Sequence, residues 1–281
     1  MRKLLNADLS RIKKENIFWL CLIVMYIGSI VFGWMNFSTT LLYDERFLQD
    51  TIYVEDILFN LFPMMGAVCA VFISLHIGTE YEHGTIRNKL AVGHTRLELY
   101  TSNLIACTAA SLVISLGMLL ISGIFGYIFF KKFYLSWQEL SFMILCCILV
   151  TVAFSAIFVS LATTIPNRAI SVTISVVIFF VLVFVASFIE TRLMEGQMTY
   201  ENMTITMDGI QYGDLVENPA YVSGIKRTVY EFIYDLLPTG QAKAMNGMNF
   251  DRCTRWPITS AVVLVVSTML GYYSFCKKDI K

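Results

Sequence analysis

Between Leu99 and Phe130 the chain runs for 32 residues without one Asp, Glu, Lys or Arg. A soluble core can bury one such helix only beneath a charged skin, and five further uncharged apolar stretches compete for the same cover. The six are residues 17–35, 57–78, 99–130, 140–165, 170–189 and 257–276. A bilayer core about 30 Å thick is crossed by roughly 20 apolar residues of helix. Each stretch meets that length, and the first reads as an uncleaved anchor because no small-residue cleavage site follows it. The third, about 48 Å if straight, is too long for one flat crossing. It is expected to tilt, to bend near Gly117, Gly123 and Gly126, or to project beyond the membrane. Composition agrees: 57% of residues are hydrophobic and 15% charged, against about 45–50% and about 25% in soluble domains. The expected fold is an all-α membrane protein of six transmembrane helices, a single transmembrane domain over residues 1–281.

Orientation follows from Lys and Arg in the short loops. With the N-terminus inside, Arg2, Lys3, Arg11, Lys13, Lys14, Arg87, Lys89, Arg96, Arg168, Lys277, Lys278 and Lys281 share one side, twelve in all. Arg46, Lys131 and Lys132 are the three on the other. Both termini are therefore expected in the cytoplasm. Residues 190–256 form a loop too long to obey the rule. In the leader, Leu5, Leu9 and Ile12 share one helical face with Arg11, Lys13 and Lys14 around them, as an amphipathic helix lying on the inner interface would.

The loop 36–56 is acidic, with Asp44, Glu45, Asp50, Glu55 and Asp56. In the long loop, residues 198–213 alternate Thr, Ile and Met around Asp208-Gly209, a hairpin signal. Further on, Val229, Tyr230, Phe232, Ile233, Leu236 and Leu237 recur at helical spacing until Pro238 stops them. That pattern predicts an amphipathic or re-entrant helix dipping into the outer leaflet.

Much chemistry is missing. Charges within spans normally mark proton relays and ion pathways, and these spans carry none, which argues against proton-coupled transport and ion pumping. The histidines are His76, His83 and His94, with no H-E-x-x-H, and the seven cysteines show no metal-ligand spacing. Neither a catalytic nor a metal site is expected; His76 reads as an interfacial histidine rather than a ligand. No G-x-x-x-x-G-K-[ST] loop occurs, so the chain itself binds no nucleotide. A net charge of zero gives no sign of a nucleic-acid partner. Polar groups in the spans are hydroxyls and amides. Pairs such as Ser111/Ser115 and Ser122/Gly126 suit close helix packing within the chain, a dimer seam or a substrate path.

After the second span the chain reads Glu80-Tyr-Glu82-His-Gly84-Thr85-Ile-Arg87-Asn-Lys89-Leu90. A helix starting near Thr85 would have acids at its N-terminus and cations toward its C-terminus, as its dipole favours, and Gly93 would end it. This segment closely resembles the one written E-x-x-x-G-T-I-R-N-K-L in permease subunits of type-2 ABC transporters. The basic leader, six spans, large segment before the sixth and short tail are similar too.

The resemblance implies that Glu80, Glu82, Gly84, Thr85, Arg87 and Lys89 belong to a coupling helix seated in a groove of a separate P-loop ATPase subunit. That subunit would use the ATP and Mg; this chain would bind no cofactor and catalyse nothing. It further implies a second permease chain, identical or different, and an external re-entrant helix at Tyr230, Phe232, Ile233, Leu236, Leu237 and Pro238. The function to expect is an exporter of amphiphilic cargo (an antimicrobial peptide, drug or lipid) in a bacterial plasma membrane. The competing reading is a membrane sensor or scaffold whose external loop binds a ligand and whose inner loop relays it.

Overall fold

The computed structural model describes residues 1–42, 52–201, 203–206, 209–212 and 214–278, with side chains except at 40–42, 203–206 and 209–212. Asp44, Glu45, Arg46, Asp50, Asp208 and Lys281 of the sequence argument lie outside the described residues. Helices dominate. α1 (Arg2–Lys14) turns at Glu15 into α2 (Asn16–Leu42), followed by α3 (Val54–Phe59), α4 (Met65–Glu82) and a short α5 (Thr85–Ala91). Then come α6 (Arg96–Phe129), α7 (Trp137–Thr164) and α8 (Arg168–Met194). Two antiparallel strand pairs follow: β1 (Met198–Tyr200) with β4 (Leu215–Glu217), and β2 (Met203–Thr206) with β3 (Gly209–Tyr212). The chain ends with α9 (Gly224–Leu236), α10 (Pro238–Asn246) and α11 (Trp256–Lys277).

Among the described residues, six helical segments are long and apolar enough to cross a membrane: 16–39, 54–82, 96–129, 137–164, 168–194 and 253–277. Their starts are set by local chemistry. Thr95 and Glu98 cap each other's backbone ahead of α6, Ser136 and Glu139 do so ahead of α7, and Asn167 accepts from the Ile170 amide ahead of α8. α4 and α7 are the most enclosed. α7 packs along α11, α4 and α6; α8 covers α4, and α2 and α3 lie on α6. The peripheral helices turn side chains such as Leu20, Val24, Phe184 and Met269 outward, as a lipid-facing surface requires.

Two spans differ in detail from the sequence expectation. The long third span is an unbroken α-helix of 34 residues, about 51 Å. Its glycines do not interrupt it; they admit neighbours, since a Cβ at Gly117 would meet the Tyr26 hydroxyl and one at Gly126 would meet Val54. The second span is interrupted: Phe62–Met64 is a 3-10 turn around Pro63, whose missing N–H breaks the helical ladder, and α10 packs against that turn. The second span then continues as helix to Glu82, so Glu80 and Glu82 end a span rather than start a loop. Ser111, Ser115 and Ser122 are buried within the chain, with Thr151 of α7 donating to Ser115 at 3.1 Å.

The strands place Thr206 opposite Gly209, one residue earlier than an Asp208-Gly209 turn would. Glu55 of the acidic loop lies in α3, fully buried, and accepts from the Tyr134 and Leu135 amides at 3.1 and 3.0 Å. It thereby fastens the α6–α7 turn. α1 also differs from an isolated interfacial helix. Its buried row is Leu4, Asp8 and Ile12, facing the protein, with Leu5 and Leu9 packed at the flank of the core.

Candidate functional site

α1, the ends of α4 and α11, the start of α6 and the whole of α5 meet at one pole of the bundle. Gly84 joins α4 to α5 with φ of 63°, and nothing lies within 4 Å of where its Cβ would be. The glycine is needed for backbone conformation, not for space. Gly93, at φ 102°, follows α5 and releases the chain toward α6.

The motif is two-sided. Glu80 has a fully buried side chain. Its Oε1 accepts from Arg11 Nη1 and from Lys89 Nζ, each at 2.5 Å, and its Oε2 accepts from Asn103 Nδ2 at 2.7 Å. Lys89 also donates to Asp8 Oδ1 at 2.7 Å, and Ser102 donates to Asp8 Oδ2 at 2.6 Å. Thr85 Oγ1 donates to the Glu80 carbonyl at 3.0 Å. Arg11 Nη2 lies 2.7 Å from Nε2 of buried His76, whose Nδ1 is 2.7 Å from Glu15 Oε2. A guanidinium only donates, so in this arrangement Nε2 accepts from Arg11 and Nδ1 faces the Glu15 carboxylate. Burial alone would depress Arg11; the Glu80 carboxylate, helped by Glu15 and Asp8, outweighs it and holds the guanidinium above its usual pKa.

Glu82 and Arg87 instead face outward, beside exposed His83, Asn88, Ala91 and Val92. Val92 is 81% exposed, an apolar knob at the pole. Glu82 reaches Arg168 at 3.1 Å, a solvent-exposed pair of little energetic weight. The pole is stitched further by Arg96, which donates to the carbonyls of Phe275, Cys276 and Lys278. These are acceptors that the end of α11 leaves open. Lys278 donates to the Thr163 carbonyl and lies 4.0 Å from the Tyr81 ring centre; desolvation lowers its pKa to about 8.

Of the residues singled out from sequence, Glu80, Thr85 and Lys89 thus face the protein, while Glu82 and Arg87 face away from it. Asp8, Arg11, Ser102, Asn103 and Val92 were missed. Asp8 did carry a signal: a lone carboxylate in an apolar i, i+4 row, between Leu4 and Ile12, calls for a buried partner.

At the other pole Phe232 and Ile233 of α9 are exposed, and Tyr230, Leu236 and Leu237 are half-buried. Pro238 is buried and opens α10, as proline at a first helical position does. α10 is the deeper helix. Thr239 donates to the carbonyl of Leu182, near the middle of α8. Buried Gln241 donates to the Asp235 carbonyl and to Thr259, and accepts from Ser260. Lys243 meets Glu190 at 2.5 Å, and Tyr234 donates to the same carboxylate at 3.0 Å. The α9–α10 turn therefore enters the bundle between α8 and α11.

A multi-pass helical membrane protein with a rigid, charged corner at one pole and a helical hairpin inserted at the other is the class these features define. The sequence profile of the ABC-2 family transporter proteins matches residues 4–186, from α1 through most of α8, and the chain belongs to that family. It is a membrane permease of an ABC transporter. A comparison with curated proteins gives no match.

Proposed function

We propose that this chain is the membrane half of an ATP-driven exporter and that α5 is the element through which a separate P-loop ATPase drives it. The observation that carries the reading is the two-sidedness of the α4–α5 corner. A seven-residue helix is anchored on its inner side by Glu80 and Lys89 and offers Glu82, His83, Arg87, Asn88 and Val92 on its outer side. An exposed charged face on a rigid mount, with an apolar knob at its edge, suits a groove on another protein. The ATPase supplies ATP and Mg chemistry; this chain contributes the path. Glu82→Lys, Arg87→Glu and Val92→Asp, each made alone, are expected to leave the protein folded in the membrane while docking weakens by about 1–3 kcal/mol. The measurement is co-purification of the ATPase and the change in its hydrolysis rate on joining the permease. Normal binding and normal rate change in all three would reduce α5 to a linker and favour the sensor reading.

The twelve-to-three basic count supports placing the α5 pole in the cytoplasm, with α1 along the inner interface and the strands and α9–α10 outside. Single cysteines at Asn88 and Asp214 test this. In intact cells an impermeant thiol reagent is expected to label Asp214→Cys and to spare Asn88→Cys; the reverse pattern would invert the topology. The outward apolar faces of α2, α8 and α11 leave room for a second permease chain. The central stretches of the spans, which carry no Asp, Glu, Lys or Arg, favour amphiphilic cargo, such as an antimicrobial peptide, a drug or a lipid, over a small ion. A bacterial plasma membrane fits both.

A further inference from the structure

We infer that Glu80 is a positioning residue that makes α1 and α5 one mechanical unit, so that a push on the outer face of α5 reaches α1 and α6 instead of being absorbed at Gly84 and Gly93. The inference rests on the reading of α5 as the docking element, and its central test does not need that reading.

α5 spans seven residues, too few for a helix to hold itself in water. It is bracketed by two glycines at positive φ, conformations that glycine adopts freely and that make these positions natural joints. Its fully buried apolar contact is Ile86. What fixes it is therefore polar: Thr85 on the Glu80 carbonyl, and Lys89 on Glu80 and Asp8. Glu80 in turn holds Arg11 of α1 and Asn103 of α6, while Asp8 of α1 holds Ser102 of α6. One carboxylate thus contacts three helices other than its own. α1 ends at Glu15 and leads straight into α2, so motion of α1 is delivered to the first span as well. None of these groups lies on the exposed docking face; their arrangement serves to transmit.

The test uses the full chain in nanodiscs of phosphatidylglycerol and phosphatidylethanolamine, with amide hydrogen exchange read by mass spectrometry. The variant is Glu80→Gln with Lys89→Met, which removes the joint while keeping the cluster's net charge. Exchange over 85–92 and over 2–14 is expected to rise together, by about tenfold or more, with α7 unchanged; such local opening is what exchange detects. Lys89→Arg with Glu80 intact is expected to keep wild-type protection. If α1 keeps its protection while α5 loses it, or if α5 keeps its own, the two helices are not joined through Glu80 and the inference fails. In the complex with the co-purifying ATPase, the double variant is expected to bind more weakly than wild type, because the docking side chains are unchanged but their mount is loosened, so hydrolysis is read at saturating permease. The permease-dependent change in hydrolysis rate is expected to be lost. A wild-type rate change would overturn the transmitting role. Failure of Arg87→Glu to disturb ATPase binding would instead count against the docking reading alone.

Discussion

Lys89→Met is expected to cost about 3–5 kcal/mol of folding stability, the range for breaking a buried ionic group by removing one partner, and adding Glu80→Gln is expected to restore much of it. The reason is charge arithmetic in a closed space. The cluster holds three carboxylates (Asp8, Glu15 and Glu80) against Arg11 and Lys89, a formal balance of −1 apart from His76. Asp8 is 2% exposed and the Glu80 side chain not at all. Without Lys89 three carboxylates share one guanidinium, and burying the surplus negative charge is costly. With Gln at 80 as well, the balance returns to −1, and the new amide can still accept from Asn103. Glu80→Gln alone leaves Arg11 with Glu15 and Lys89 with Asp8 and is expected to cost less, about 1–3 kcal/mol. Thermal unfolding of the four proteins in one detergent closes the cycle. The double variant should be more stable than Lys89→Met; losses that simply add would show that the groups do not share one electrostatic site.

That cluster also marks where reading the sequence stops. A span is a local signal, because twenty apolar residues in a row mean the same thing whatever they pack against. The helix from Thr85, its end at Gly93 and the stop at Pro238 were legible for the same reason, as each depends on residues within a turn or two. The partners of Glu80 were not. Arg11 and Asn103 stand 69 and 23 positions away, and nothing near Glu80 says that it faces inward while Glu82 faces outward. Pro63 was overlooked because hydropathy does not fall there, although its backbone chemistry breaks the helix. α10 stayed hidden because Thr239, Gln241 and Lys243 read as loop. Their polarity is satisfied by Leu182, Thr259, Ser260, Ser187 and Glu190, and those matches exist only in the folded bundle.

The inserted hairpin should also tolerate least at its turn, and Gly240→Ala is expected to cost at least about 3 kcal/mol, the upper end for overpacking a fixed core. A Cβ at Gly240 would lie 2.3 Å from the Tyr234 carbonyl oxygen. That oxygen is backbone at the end of α9, where it accepts from the Leu237 amide, so no side-chain rotation relieves the contact. Retreat is blocked as well, because Thr239 and Gln241 on either side are held to α8 and α11. Either α9 loses its closing turn or α10 withdraws from the bundle. Gly84→Ala makes a useful contrast: it meets open space at φ 63°, so its cost is conformational alone, about 1–2 kcal/mol. Gly28, whose nearest contact would be Leu61 at 3.5 Å, is the control and should change little as alanine. Unfolding midpoints of the three variants in one detergent should rank Gly240→Ala lowest, then Gly84→Ala, then Gly28→Ala. A Gly240→Ala protein as stable as the Gly28 control would mean that the α9–α10 turn sits more loosely in the bundle than its hydrogen bonds require.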